Sequence, residues 1–260
     1  MFLTLNIKSQ NVGQKGDTKI NYTDINGKKQ GKWEKKYKNS NIAYTAFFIN
    51  DIPIGEYKRY YATGKLQLEV TYNKKSEGFA KLYWDDSKKM AEGKYINTNV
   101  KDSTWLFYDT QETLISQITY KNGIKDGKEI TYFKTGQKNE EIGWKNGIKH
   151  GEWNYYYDFG KPRMKTTNIN GKKHGSFIFY HINGLPYIVG TYKNGFREGK
   201  WNFYYKDNQL EKTITYQKGT PINEYELDVE TEKQIQEWEK MEGKIPEPTY
   251  ENLIERNIKQ

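Results

Sequence analysis

The sequence predicts an all-β repeat array: one elongated, single-layer antiparallel sheet of β-hairpins, about eight 24-residue units, with a short α-helical cap at the C-terminus. Three observations predict it. A glycine-centred segment recurs at near-constant spacing, its anchors Gly31, Gly55, Gly78, Ser103, Gly127, Gly151, Gly175 and Gly199 standing 24, 23, 25, 24, 24, 24 and 24 residues apart. Five positions after the anchor a tyrosine stands in seven of the eight units: Tyr60, Tyr83, Tyr108, Tyr132, Tyr156, Tyr180 and Tyr204. Seventeen positions after it, seven of eight are aromatic: Phe48, Tyr72, Tyr95, Tyr120, Trp144, Tyr192 and Tyr216, with Asn168 the exception. A fixed period of this length marks units too small to bury their apolar surface alone, so each must stack on its neighbours.

Residues 1–23 read as a lead-in that is disordered or the remnant of a signal, with the array over 24–220 and an acidic helical cap over 221–260. MFLTLNIKSQ lacks the basic start of a secretory signal; the chain is expected in the cytoplasm if this N-terminus is complete and exported if a signal start is missing upstream. The unit Asn146–Gly160, NGIKHGEWNYYYDFG, shows the logic of the array. Alternation after the anchor sets Trp153, Tyr155 and Tyr157 on one face and Tyr156 on the other, the period of a strand. Nine positions after the anchor Gly64, Gly136, Gly160 and Gly184 mark a tight turn, with Ser40 and Asn208 in that place elsewhere. A second strand, such as LEVTY ending at Tyr72, then closes at Asn122-Gly123, Asn146-Gly147, Asn170-Gly171 or Asn194-Gly195.

Sixteen strands are expected, with cross-strand aromatic pairs holding the sheet because it has no second layer behind it. The units around Ala80 and Ser103 are the most degenerate, which makes them a candidate place for a bend in the sheet or for specific binding. After Pro221, Ile235, Trp238 and Met241 share one side of a helix, as do Tyr250, Leu253, Ile254 and Ile258; two such helices would cap the open edge or cover a binding face.

The formal charge of +9 is uneven: residues 221–260 carry eleven acidic against five basic side chains, which leaves +15 on residues 1–220. The absence of cysteine excludes disulfides, thiolate metal sites and a cysteine nucleophile. No apolar run approaches a membrane-spanning helix.

The pattern G-x-W-x-x-Y-Y-x-x-G, followed by an aromatic, Asn-Gly and the next anchor, resembles the MORN repeat, and most closely its second variant, found in many bacterial proteins. The likeness covers residues 24–220, with departures at Ala80, Ser103 and Glu129. It implies a β-hairpin scaffold for protein contacts; some bacterial relatives are labelled antitoxins of toxin–antitoxin pairs, and other MORN proteins are placed at membranes. Gly143 to Tyr157 also resembles the aromatic repeats of choline-binding modules, whose period is shorter.

The residues themselves make no case for catalysis. His150 and His174 hold one place in adjacent units, where Gln30, Asp126 and Glu198 stand elsewhere, so a solvated loop position explains them better than a metal site. Asp85, Asp86, Glu140 and Glu141 include adjacent carboxylates but nothing that sets a catalytic separation. No glycine-rich loop stands between a strand and a helix as phosphate binding requires, and no cofactor or metal is expected. The reading is a non-enzymatic protein-binding scaffold, with antitoxin-like neutralisation of a partner as one form of it. Its expected contact residues are Tyr132, Tyr156, Tyr180, Tyr204, Trp153 and Trp201. The alternatives are carbohydrate or cell-wall binding through the aromatic ladder, and an anionic membrane surface met by a basic edge of Lys125, Lys149, Lys172, Lys173 and Arg197. Nucleic acid is a weaker partner, because no reader motif is present.

Overall fold

A computed structural model describes residues 19–222. Among these residues every regular element is a strand, sixteen of six to nine residues and three of two, in one antiparallel sheet. Each long strand pairs with its neighbours in sequence, from Lys29–Lys36 against Ile42–Ile49 to Phe196–Tyr204 against Leu210–Gln217. The helices expected after Pro221 and nearly all of the expected lead-in lie outside the described residues.

Local chemistry accounts for the meander. Asn122-Gly123, Asn146-Gly147, Asn170-Gly171 and Asn194-Gly195 each place two successive residues at positive φ. That geometry is the two-residue reversal whose twist matches a right-twisted sheet. Asn50-Asp51, Asn97-Thr98 and Lys218-Gly219 adopt it too. Thr98, at φ +74, is a β-branched residue in a region such residues avoid. The other hairpin turn puts Gly64, Gly136, Gly160 and Gly184 at φ +82 to +91.

Both edges are stitched from unit to unit. At the Asn-Gly edge the second turn residue donates its amide to the carbonyl two residues before the preceding anchor: Gly123 to Lys101, Gly147 to Lys125, Gly171 to Lys149 and Gly195 to Lys173, all at 2.8 Å. At the other edge the side chain six positions after the anchor reaches the next unit. Tyr37, Tyr61 and Tyr157 donate their hydroxyls to the carbonyls of Tyr60, Tyr83 and Tyr180 at 2.7–2.8 Å, and His181 Nε2 lies 2.8 Å from the Tyr204 carbonyl.

A single sheet has a core only if something covers its apolar face, and two devices do so. The Trp201 indole lies flat on Gly190 of the preceding strand, where a Cβ would come within 2.3 Å of the ring, and Trp105 lies on Gly93 in the same way. Long basic side chains then lie across the rings. Arg197 stands 5.4 Å from the Trp201 centroid and 5.3 Å from that of Tyr216; Lys173 stands 5.0 Å from Trp153 and 5.3 Å from Tyr192. Their aliphatic stems cover carbon while their charges meet ring faces. Trp105 and Trp201 are thereby fully buried. The buried residues form two clusters, one running from Val70 to Tyr120 and the other from Ile142 to Tyr216.

Candidate binding face

The first cluster does not fill its own face. The step from Gly55 to Gly78 is one residue short, and the bulge made elsewhere at the anchor is lost: Gly78 lacks the positive φ of the other seven anchors, and Leu66–Tyr72 pairs with Gly78–Tyr83 without a register shift. Where Trp153, Phe177 and Trp201 stand two positions after their anchors Ala80 stands here, Leu82 replaces the rings of Tyr155, Phe179 and Phe203, and Ala91 stands where Met164 and Ile188 do. Trp105 takes up the space over Gly93, and a cavity of about 700 Å³ opens beside it. Its walls are aromatic (Tyr57, Tyr72, Tyr95, Trp105), with Leu82 and Ala91 among its apolar lining. The volume is in the range of sites that take small ligands or single anchoring side chains.

Polar groups mark the cavity's boundary. Arg59, Lys101 and Asp51 line it, as do Thr98 and Asn99 from the turn that follows Ile96. The Tyr72 hydroxyl donates to the Thr98 carbonyl, so a core side chain holds the strained turn in place. Burial raises the phenol of Tyr72 and pushes that of Tyr95 up to about 12. Two residues of the lining, Gln67 and Trp84, each carry a buried side-chain atom, Oε1 and Nε1, without a hydrogen-bond partner. Such atoms are rare enough in folded proteins to need an explanation.

A polar seam parts the two clusters. Glu129 stands where five other units have a tryptophan or phenylalanine, with Thr131 two residues on, paired in register with both Ser116 and Glu140. Lys125 Nζ meets Glu129 Oε2 at 2.9 Å, and Trp153 Nε1 donates to Glu140 Oε1 at 2.7 Å. Burial raises the pKa of Glu140 despite that bond.

The expected contact residues fall on two different faces. Tyr132, Tyr156, Tyr180 and Tyr204 are half-buried on the face opposite the clusters. Tyr132 reaches Gln117 Oε1 at 3.4 Å, and the same column gives Tyr83 to Glu69 at 2.7 Å and Tyr108 to Glu92 at 2.6 Å. Burial, assisted by the Glu69 bond, pushes the Tyr83 phenol up to about 12. Tyr204 borders a second, open depression beside His181, Tyr187 and Glu211. Trp153 and Trp201 are 1% and 0% exposed and offer no contact surface, because an even offset from the anchor places them in the core. Of the expected basic edge, Lys172 is exposed in a two-residue strand just after a turn, whereas Lys125, Lys149, Lys173 and Arg197 lie across Trp144, Trp153, Tyr192, Trp201 and Tyr216.

The residue before the anchor serves the turn in several units. His174 Nδ1 accepts the amide of Asn194 at 3.4 Å, as Asp126 accepts Asn146 at 3.0 Å, Glu198 accepts Lys218 at 2.8 Å and Gln30 accepts Asn50 at 3.1 Å. In these units the position supplies an acceptor, which is why histidine, glutamine, aspartate and glutamate interchange there; Ile54, before Gly55, is an exception. Glu140 and Glu141 are neighbours on one strand and face opposite ways; Glu141 instead binds Lys128 and, at 2.7 Å, Lys138. Asp85 accepts the Thr63 hydroxyl at 2.7 Å, and Asp86 the Lys88 amide at 3.1 Å. Among the described residues no three histidine, aspartate or glutamate side chains group as metal ligands would.

Sequence reasoning missed the column six positions after the anchor, because Trp84, Asp109 and Phe133 interrupt it. It also missed Arg59, Gln67 and Trp84 as cavity residues, although Arg59 in an aromatic column was a signal. The family model of a MORN repeat variant matches residues 53–74, 149–167 and 197–218. Each match begins two residues before an anchor, at Pro53, Lys149 and Arg197, in the frame the hairpins define. No curated protein matches the chain. MORN repeats are a non-catalytic type that serves in binding to proteins and membranes, and the chain carries that type of unit at the three matched places.

Proposed function

We propose that this chain is a non-enzymatic protein-binding scaffold whose partner docks on the ring-lined face over the second to fourth units. The observation that carries this reading is the cavity between Tyr57, Tyr72, Tyr95 and Trp105. Tyrosine and tryptophan offer large contact area with few rotatable bonds, and here the rings are positioned by strands rather than loops. Neutralisation of the partner, as antitoxins neutralise toxins, is the form of binding that the resemblance brings to this reading. Binding of glycans along the ladder is disfavoured in the regular units, where Lys149 and Lys173 stand over the Trp153 ring.

The test is affinity capture from a lysate of the encoding organism, at low and high salt, with the wild-type chain and the cavity-filling variant Leu82→Trp side by side. One protein retained stoichiometrically at high salt, displaced by untagged chain, supports the scaffold; recovery of lipid, glycan or salt-labile mixtures alone removes it.

A second reading rests on exposed Ile124, Ile148 and Phe196, which repeat at one place along the Asn-Gly edge. Together with Lys172 they would suit attachment to an anionic membrane surface. Failure to sediment with vesicles rich in acidic lipid at low salt would sink it.

A further inference from the structure

We infer that residues 223–228, NEYELD, add one more strand to the outer side of Leu210–Gln217, so that the chain closes the C-terminal end of its own sheet. The described residues begin that strand. Lys218 and Gly219 take successive positive φ values, and the Gly219 amide donates to the Arg197 carbonyl at 2.9 Å, the bond that stitches the four Asn-Gly turns to their preceding units. Thr220 and Pro221 then pair with Gln217 and Tyr216, and the Ile222 amide reaches the Thr215 carbonyl at 2.8 Å. Two periods earlier Lys172 and Lys173 pair with Ile169 and Asn168, and the His174 amide reaches the Thr167 carbonyl at 3.0 Å. There the chain continues into the strand Gly175–Tyr180, where Ile178 pairs with Lys165 and Phe179 with Met164.

The residues after Ile222 keep that register. Asn223 falls at the anchor, and asparagine tolerates positive φ. Tyr225 and Leu227 fall where Phe177 and Phe179 stand on the core face, and Glu224, Glu226 and Asp228 alternate with them. The same spacing sets Glu226 opposite Thr213 and Leu227 opposite Lys212.

Burial at the two ends of the sheet points to the same occupant. The first long strand, Lys29–Lys36, is paired on its outer side at Lys29 and Gln30, and its Trp33 is half-buried. The last is paired on its outer side at Tyr216 and Gln217 within the described residues, yet its Ile214 and Tyr216 are 2% and 3% exposed. That is the burial of Ile118 and Ile188, which have a strand on either side. Residues 223–228 are tethered to this side by a closed turn, so they meet it at a far higher effective concentration than a partner strand or a second copy. Their three carboxylates then stand on the new edge strand, and charge on an edge strand opposes the addition of another. A binding partner accordingly meets this end of the sheet by its faces.

Hydrogen exchange on the nitrogen-15 labelled chain of 260 residues tests the added strand. The Thr213 amide points outward, as does the Thr215 carbonyl two residues on, which accepts from Ile222. The Ile214 amide points inward, toward its pair Trp201, and serves as the control. Thr213 is expected to be protected at least about a hundredfold over an unfolded chain, with an amide–amide contact to Glu226. Tyr225→Asp combined with Leu227→Asp should cut that protection at least about tenfold and leave Ile214 unchanged.

The assignment is overturned if Thr213 exchanges freely in the unaltered chain, if its protection survives the double substitution, or if Tyr225 and Leu227 show helical carbon shifts. Protection that grows with concentration from about 10 µM to about 1 mM would also overturn it, and would give the edge to a second copy. If the double variant loses both amides together, the Thr213–Glu226 contact in the unaltered chain decides: its presence upholds the strand, and its absence overturns it.

Discussion

From Gly151 to Tyr216 each unit sets rings two and four positions after its anchor: Trp153 and Tyr155, Phe177 and Phe179, Trp201 and Phe203. From Gly55 to Phe107 the same two positions begin with Tyr57 and Arg59 and continue with Ala80 and Leu82. The hairpins of the two regions are alike in strand length and pairing, yet one region is filled by its own rings and the other holds a cavity. The comparison separates two jobs that a repeat sequence performs. Turn and anchor residues make the hairpins, and the face-filling residues are free to vary once neighbouring units supply the stacking. A repeat array can therefore turn part of its core into a site without losing its fold.

The largest expected effect asks whether the two regions differ in stability as they do in filling. Trp201→Ala, in the filled region, should cost about 3–5 kcal/mol, as removal of a buried indole does. Leu82→Ala, beside an existing cavity and partly exposed, should cost about 1 kcal/mol. Urea unfolding followed by hydrogen exchange of each region reads both, and equal costs would break the comparison.

Next in size is a feature the regions share. Gly190→Ala and Gly93→Ala both drive a methyl into an indole, so each should destabilise by about 1–3 kcal/mol. A tolerated Gly93→Ala would show that Trp105 can retreat into the cavity, and would sharpen the contrast.

The seam between the regions should respond to pH. Burial raises the folded-state pKa of Glu140, so the folded chain binds the proton more tightly than the unfolded chain does. That contribution is fully present below the ordinary carboxylate pKa of 4.5 and is lost as pH rises through the raised value. Glu140→Gln should flatten this slope and stabilise the chain at neutral pH. Unfolding midpoints measured from pH 4 to pH 8 check it, and an unchanged slope would remove Glu140 as its source.

The smallest effects lie in the backbone and its stitches. Ser103 alone replaces an anchor glycine, at φ +59, and Ser103→Gly should stabilise by about 1 kcal/mol. Tyr157→Phe removes the hydroxyl bonded to the Tyr180 carbonyl and should cost about 0.5–1.5 kcal/mol. Thermal unfolding separates the two by sign, and a destabilised Ser103→Gly would mean that the Ser103 hydroxyl, bonded to Asp102 at 3.0 Å, outweighs the strain.

Much of the fold was legible because its signals are local. The Asn-Gly pairs and the glycines nine positions after the anchor sit where the chain reverses, and their positive φ is a property of two or three residues. Ala80 and Ser103 likewise marked the irregular region before any cavity was seen. The candidate site was only half legible. Alternation separates Trp153 from Tyr156 but does not say which face is covered, so both were expected to offer contact surface. The role of His174 was hidden too, since its amide partner Asn194 is 20 residues away.

The residue string alone settled the hairpin, its period and its turns, for steric reasons that act within a few residues. Tertiary structure decided which ring columns are buried, because the basic chains and glycine platforms that cover them belong to neighbouring units about one period away. It also decided that a missing residue between Gly55 and Gly78, together with the small side chains at Ala80 and Ala91, opens a cavity rather than a collapsed core. Strand pairing continues on both sides of that gap, and the backbone cannot close across it.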